Sequence, residues 1–148
     1  MNLFLSRGWT LSVAESCTGG LLSAELSHIS GISSVFLGGV VSYSNAAKQN
    51  ILDVPSHLIK SLGAVSEPVA LSMAKNVKKK FKSNWAISIT GIAGPTGGSP
   101  DKPVGTVWFA VVGPAFEYAQ VQVLKGDRKQ IQQSAVKHAL GLLLAKSE

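Results

Sequence analysis

Small and hydroxylated residues fill the segment Ala14-Glu15-Ser16-Cys17-Thr18-Gly19-Gly20. An apolar run over residues 11–14 predicts a strand before it, and a helical pattern continues from Thr18 to His28. Where a strand turns into a helix in an open α/β sheet, side chains face the crevice in which ligands bind. Free N–H groups at the start of the helix favour an anion or a developing oxyanion, so Ser16 is a candidate nucleophile. The alternative is that Ser16 or Thr18 only caps the helix.

A lysine that could act as a base follows the next predicted strand. The residues Tyr43-Ser44-Asn45-Ala46-Ala47-Lys48 predict a helix capped by Ser44 or Asn45, with Lys48 in or near its first turn. The helix dipole and partial burial both disfavour the charged form of such a lysine. A neutral lysine can take the proton of a serine, and Tyr43 is close enough to relay a proton or position the ammonium. A solvated Lys48 beside a core Tyr43 is the alternative.

A glycine-rich loop and an arginine could bind an anionic group. The loop, residues 90–98, reads TGIAGPTGG, and its glycines allow backbone amides to approach a ligand closely. It is no Walker motif, because Gly-Lys-Ser/Thr does not close it, and it lacks the GxGxxG spacing. Arg128 stands beside the capping Asp127 and suits a phosphate or carboxylate through its planar donor fork. The alternatives are a plain surface connection and an exposed arginine.

The elements that must position these residues alternate between strand and helix. Helix signals include Ser66 as a cap and an Asp127–Gln130 capping box, and Gly38-Gly39 predicts a bulge or a close backbone approach. Strands are predicted over residues 11–14, 35–43, 85–90, 104–112 and 117–124, the last two as a hairpin. This order predicts an α/β protein, a three-layer α/β/α sandwich with a mixed, mostly parallel sheet. The loops 15–20, 43–48 and 90–98 should then meet at one edge of the sheet.

Length and composition are those of one domain over residues 1–148. With 45% hydrophobic residues, the chain can bury about two thirds of its unfolded surface. It has neither an apolar run long enough for a bilayer nor a signal-peptide pattern at its start. Its single cysteine fits a reducing compartment, and we expect a cytoplasmic protein. Residues 1–7 predict the last turns of a helix that normally begins further upstream.

The net charge of +6 does not by itself indicate a nucleic-acid partner. Lysines cluster at the end of one predicted helix, where they complement its dipole, and no aromatic residues are interleaved with them. We therefore expect no nucleic-acid partner, and a positive field would equally attract an anionic small substrate. Cys17 and the histidines at 28, 57 and 138 lack metal-ligand spacing, so we expect no metal.

Six motifs together resemble the C-terminal family of CinA proteins. They follow one another along nearly the whole chain: AESCTGG, FLGGVVSYSNAAK, GAVSEPVA, TGIAGPTGG, KPVGTVWFA and GDR. The resemblance implies an α/β/α fold, a homodimer or larger homo-oligomer, and no metal or cofactor. It also implies hydrolysis of the carboxamide of nicotinamide mononucleotide (NMN), giving nicotinate mononucleotide and ammonia.

The same resemblance implies a serine amidase with Lys48 as base and Tyr43 nearby. Ser16 and Ser33 both lie in family motifs, and topology favours Ser16 as the nucleophile. A continuous strand, at about 3.3 Å per residue, would place Ser33 roughly 30 Å from Tyr43. Only a break at Gly38-Gly39 or a partner subunit would bring Ser33 back. The residues expected to hold the substrate are Thr18, Gly19, Asn45, Thr90, Gly91 and Arg128.

Two positions depart from the family pattern. The helix before Leu11 is truncated, and Ala46 stands where an acid is expected. The competing hypothesis is a non-catalytic module that binds a nucleotide or assists a competence or DNA-damage partner. The intact serine, tyrosine and lysine favour the enzyme.

Overall fold

The strand that leads into the serine-containing turn lies inside the sheet, between two parallel neighbours. In the computed structural model, which describes residues 2–148, β1 (Leu11–Glu15) pairs with β2 (Phe36–Val41) and β3 (Trp85–Gly91). The predicted hairpin of β4 (Thr106–Gly113) and β5 (Phe116–Val123) is confirmed and extends the sheet beyond β3. The order is β2-β1-β3-β4-β5, and of these strands β4 alone runs against the others.

Helices cover both faces of this sheet, as the three-layer α/β/α prediction requires. Phe4, Leu22 and Ile131 pack on one face, and Val69 and Met73 pack on the other. The first face is covered by α1 (Asn2–Arg7), α2 (Leu21–Ser27) and α6 (Arg128–Ser147), and the second by α4 (Ser56–Leu62) and α5 (Glu67–Phe81). β1 is buried throughout because it has helices on both faces, and its two polar residues, Ser12 and Glu15, have hydrogen-bond partners inside the protein. None of the helices within residues 2–148 has the length and hydropathy that crossing a bilayer requires.

The structure confirms the predicted starts of two helices and changes the predicted start of a third. The capping box of Asp127 and Gln130 is present at the start of α6. The helix expected from Thr18 begins only at Leu21. Ser66 occupies the N-cap position of α5 as predicted, but its hydroxyl donates to the carbonyl of Gly63 and makes no cap hydrogen bond to the helix. Of the helix predicted over residues 1–7, Met1 lies outside the described residues, and α1 covers the remainder.

The two glycines of β2 produce the predicted bulge without breaking the strand. Register between β1 and β2 skips a residue, so that Leu11 pairs with Phe36 and Ser12 pairs with Gly38. A Cβ at Gly39 would lie 2.5 Å from Cγ2 of Val13, which requires glycine at this close approach. β2 remains continuous, so the two glycines do not bring Ser33 back to Tyr43.

Candidate active site

The three predicted loops meet at the carboxyl ends of β1, β2 and β3, where they enclose a pocket of about 270 Å³. Each loop contributes to its wall, and the first residue of α6 closes one side. The lining residues are Ser16, Cys17, Tyr43, Gly91, Ile92, Ala93, Gly94, Thr96, Gly97 and Arg128. Convergence of strand ends therefore places a hydroxyl, a guanidinium and a glycine-rich backbone around one cavity.

Lys48 projects from α3 (Asn45–Asn50) into the protein and meets Ser16. The lysine is only 1% exposed, so the alternative of a solvated Lys48 is wrong. Its Nζ donates to Oγ of Ser16 at 2.8 Å and to the carbonyl of Ser42 at 2.8 Å. A third, longer contact of 3.4 Å reaches the carbonyl of Tyr43. All three donors of the ammonium therefore have acceptors inside the protein.

Burial lowers the pKa of Lys48 from its usual 10.5 to about 8. The nearby Cys17 acts in the opposite direction and is the smaller influence. Ser44 caps α3 as predicted, accepting from the N–H of Ala47 at 3.0 Å. Because burial lowers this pKa, part of the Lys48 population is neutral near physiological pH.

Glu15, a residue to which no sequence motif assigns a role, holds the turn after β1 through its buried carboxylate. Oε2 accepts from the N–H groups of Gly20 and Leu22 at 3.1 and 3.0 Å and from the Thr18 hydroxyl at 2.7 Å. Oε1 accepts from the N–H and hydroxyl of Ser23 at 2.8 and 2.7 Å. The expectation of free N–H groups at the start of α2 is therefore wrong for Gly20, Leu22 and Ser23, because this carboxylate occupies them.

The capping alternative for Ser16 and Thr18 is also wrong. The hydroxyl of Thr18 donates to Glu15 and that of Ser16 faces Lys48, so neither accepts from the helix. The N–H of Gly19 closes the turn on the carbonyl of Ser16 at 3.0 Å. Within residues 2–148, the N–H groups of this turn that reach no acceptor on another residue are those of Cys17 and Thr18.

We expect Glu15→Gln to lower the free energy of unfolding by about 3 kcal/mol, because the new amide group would face backbone donors. Chemical denaturation of both proteins measures this difference. Glu25→Gln is the matched control, since the Glu25 side chain is 59% exposed and such surface changes cost less than about 0.5 kcal/mol. Equal losses for the two variants would contradict a capping role for Glu15.

Arg128 and Tyr43 are joined to each other across the pocket. One guanidinium nitrogen of Arg128 donates to the carbonyl of Gly94 at 2.7 Å, and the other donates to the hydroxyl of Tyr43. Tyr43 is 56% exposed, so the alternative of a core tyrosine is wrong. Its hydroxyl is engaged with Arg128, while Lys48 contacts its backbone carbonyl. The expected proton relay from Lys48 through the Tyr43 hydroxyl has no direct contact in this arrangement.

The structure brings some of the other predicted site residues to the pocket and leaves others outside its wall. Gly91 lines it. Thr90 is buried, and its hydroxyl donates to the carbonyl of Ala64 at 2.9 Å. Asn45 is exposed at the first position of α3. The side of the strand on which each residue falls explains the difference between Thr90 and Gly91.

Ser33 lies at the opposite end of the sheet from this pocket. It is an exposed residue of the short 3-10 helix Ile32–Ser34, which precedes the amino end of β2. β1 and β2 are parallel, and Glu15, the residue before Ser16, pairs with Val41 at the carboxyl end of β2. Within one chain, therefore, Lys48 meets Ser16 and not Ser33.

The family model for the CinA C-terminal domain matches residues 1–147. This chain belongs to the CinA C-terminal domain family. A CinA-like protein of Anaeromyxobacter sp. (strain Fw109-5) is 47% identical over 138 residues, 93% of this chain and 34% of that protein. A CinA-like protein of Prochlorococcus marinus (strain NATL1A) is 56% identical over 112 residues, 76% of this chain and 26% of that protein. The chain thus spans about a third or less of the length of these curated relatives.

Solved CinA structures share the whole fold of this domain. The crystal structure of a CinA superfamily protein from Klebsiella pneumoniae 700603 matches with a TM-score of 0.95 at 36% identity. The match covers 99% of this chain and 91% of that one. The α/β/α prediction and the CinA resemblance are therefore both confirmed.

Gln132 is a further residue of this CinA domain at the site, and no sequence motif points to it. Its Nε2 donates to the carbonyl of Cys17 at 2.8 Å. It lies four residues after Arg128, so both side chains leave the same face of α6. A glutamine in a helix is ordinarily a solvated residue, and only the tertiary fold shows which face of α6 meets β1.

Cys17 lines the pocket as a neutral thiol. Burial raises its pKa to about 11, and its own N–H together with Lys48 and Arg128 offsets the rise only in part. A thiol with that pKa is a poor nucleophile at neutral pH. No group of three or more metal-ligating side chains occurs within the described part of the chain.

Proposed function

We propose that this CinA domain hydrolyses the carboxamide of NMN to nicotinate mononucleotide and ammonia, with Ser16 as nucleophile and Lys48 as base. The observation that carries the proposal is the 2.8 Å contact between Nζ of Lys48 and Oγ of Ser16, made by a buried lysine whose pKa is about 8. Nucleophile and base within hydrogen-bond distance, with the base tuned towards its neutral form, are the requirements for an activated serine.

The surroundings of Lys48 determine the direction of proton transfer. The neutral amine has two hydrogens and one lone pair. Carbonyl oxygens only accept, so the contacts to Ser42 and Tyr43 take the two hydrogens. Ser16 is the remaining partner, and its hydroxyl can donate to the lone pair. When Lys48 loses its proton, this hydrogen bond therefore reverses. The Ser16 hydroxyl then donates to Nζ of Lys48, the atom that accepts its proton in the reaction.

The reaction then follows acyl-enzyme chemistry. Oγ of Ser16 bonds to the carboxamide carbon as its proton passes to Lys48. Collapse of the tetrahedral intermediate breaks the C–N bond, and the proton on Lys48 leaves with ammonia. Water, deprotonated by Lys48, attacks the ester, releases nicotinate mononucleotide and restores the serine proton. The N–H groups of Cys17 and Thr18 supply the oxyanion donors, each worth about 3 kcal/mol in comparable sites.

The rest of the pocket suits the phosphate of the mononucleotide. Arg128 lines the same cavity as Ser16 and offers a cation with a planar donor geometry. Gly91, Gly94 and Gly97 place backbone close to the cavity. The net charge of +6 favours the approach of an anionic substrate.

Ammonia release from NMN by the purified protein tests the proposal. A non-catalytic nucleotide-binding module is the rival, and calorimetry on the same sample distinguishes the two. Ammonia formed in a one-to-one ratio with nicotinate mononucleotide supports the enzyme. Binding of NMN without ammonia release would overturn the proposal in favour of the module.

We expect kcat/KM for NMN to rise with pH, with its midpoint near 8, the pKa of Lys48, and to level off above about pH 9. The active form is the neutral amine, which grows from about one tenth of the molecules at pH 7 to about nine tenths at pH 9. The rise over this interval should therefore be about tenfold. Initial rates at subsaturating NMN in buffers of constant ionic strength measure it. A flat profile between pH 7 and pH 9 would exclude Lys48 as the titrating base.

A further inference from the structure

Two carbonyl contacts fix the turn that follows Ser16. The carbonyl of Ser16 accepts from the N–H of Gly19 at 3.0 Å, and the carbonyl of Cys17 accepts from Nε2 of Gln132 at 2.8 Å. The first contact is local to the turn. The second comes from α6, the helix that also delivers Arg128 to the pocket.

A planar peptide links each carbonyl to the next N–H. The C=O and N–H of a trans peptide point in opposite directions, so an acceptor contact on one orients the other. The Gly19 contact therefore orients the N–H of Cys17, and the Gln132 contact orients the N–H of Thr18. These are the N–H groups of the turn that reach no acceptor on another residue in the described chain.

Because of Glu15, no other N–H group of the turn could replace those of Cys17 and Thr18. Its carboxylate already binds the N–H groups of Gly20, Leu22 and Ser23, and the N–H of Leu21 donates to Thr18. Rotation of the Cys17–Thr18 peptide would consequently remove one of two donors, with no substitute nearby.

From these contacts we infer that Gln132 is a positioning residue, one that holds the Cys17–Thr18 peptide so that the Thr18 N–H can stabilise negative charge developing next to Ser16. Gln132 acts through the backbone and contacts neither the nucleophile nor the base. The inference rests on the proposed function for its substrate, and it also applies to any electrophile that Ser16 attacks.

Gln132→Leu removes the donor at similar volume, and Gln133→Leu makes the same change at the exposed neighbouring position. With NMN, we expect Gln132→Leu to lower kcat about tenfold, with KM within about twofold and the pH inflection near 8 unchanged. Gln133→Leu should match the parent protein. Gln132→Arg, whose guanidinium also donates, should recover most of the loss.

A fluorophosphonate probe separates this inference from the choice of substrate. Oγ of Ser16 bonds to phosphorus, the P–F bond breaks, fluoride leaves, and the serine proton passes to Lys48. Intact mass measures the rate, which we expect to fall about tenfold in Gln132→Leu and to recover in Gln132→Arg. If the parent protein is labelled at Ser16 but releases no ammonia from NMN, the proposed substrate fails while labelling still tests Gln132.

The positioning role would be overturned by equal rates for Gln132→Leu and Gln133→Leu, by a Gln132→Arg variant no faster than Gln132→Leu, or by a parent protein that the probe does not label. A loss expressed only as a raised KM would also overturn it, because a substrate contact and not an oxyanion donor would then have been removed.

Discussion

Ser16→Ala is expected to lower ammonia release from NMN by at least about 10³-fold while leaving the fold intact, because the attacking oxygen is removed. Ser16→Ala removes one acceptor of the buried Lys48 Nζ while the carbonyls of Ser42 and Tyr43 remain, so the variant should stay folded with a free energy of unfolding lower by about 1–3 kcal/mol. Steady-state kinetics and circular dichroism on the same preparation measure the two properties.

Ser33→Ala is the matched control for this experiment, since it makes the same change in a second serine of the family motifs. Ser33 is exposed in the 3-10 helix before β2, away from Lys48. Its replacement should leave kcat and KM within about twofold of the parent values. An active Ser16→Ala together with an inactive Ser33→Ala would assign the nucleophile to Ser33 and would require a second subunit to supply its base.

Lys48→Met is expected to lower kcat about 10³-fold, because the serine then has no base within hydrogen-bond distance. Methionine keeps the unbranched shape and removes the charge. Lys79→Met, at an exposed position of α5, is the control and should be fully active. Retained activity in Lys48→Met would move the role of base to another group.

The same variant also tests the shifted pKa through stability. In the unfolded chain Lys48 keeps its proton up to about pH 10.5, whereas in the folded protein it loses it near pH 8. Between these values the unfolded state binds more protons, so the parent protein gains stability relative to Lys48→Met as pH rises. The gain should total about 3 kcal/mol across the window. Denaturant unfolding at several pH values measures it, and a constant difference would contradict the shift.

Much of the site's location follows from hydrophobic patterning. The apolar runs before Ser16, Tyr43 and Gly91 end where parallel strands end, and such ends lie at the same edge of a sheet. Pairing of Ser16 with Lys48 could be predicted for the same reason, because each follows one of these strands. Their roles in catalysis stay predictions until the variants above are assayed.

The direction in which individual side chains point could not be predicted from hydrophobic patterning. Thr90 and Gly91 are adjacent, yet the hydroxyl of Thr90 turns to the carbonyl of Ala64 while Gly91 lines the pocket. Alternation along a strand sends neighbours to opposite faces, and sequence alone does not say which face holds the cavity. The hydroxyl of Tyr43 likewise meets Arg128, 85 residues later in the chain.

Glu15 explains why the sequence pattern predicts an earlier start for α2 than the structure has. The pattern of small and hydroxylated residues predicted helix from Thr18, whereas the structure begins α2 at Leu21. A side chain from the preceding strand takes the capping role, and its carboxylate accepts from N–H groups five to eight residues ahead. Local capping rules consider residues at the helix end itself, and so they did not anticipate it.

The distribution of the pocket along the chain sets the order in which it can be assembled during synthesis. Ser16 and Lys48 both lie in the first third of the sequence, β3 then completes the neighbours of β1, and all five strands are complete by Val123. Arg128 and Gln132 leave the ribosome after that point, on the helix that follows the sheet. A nascent chain therefore carries Ser16 and Lys48 well before it has the contacts of Arg128 with Gly94 and of Gln132 with Cys17.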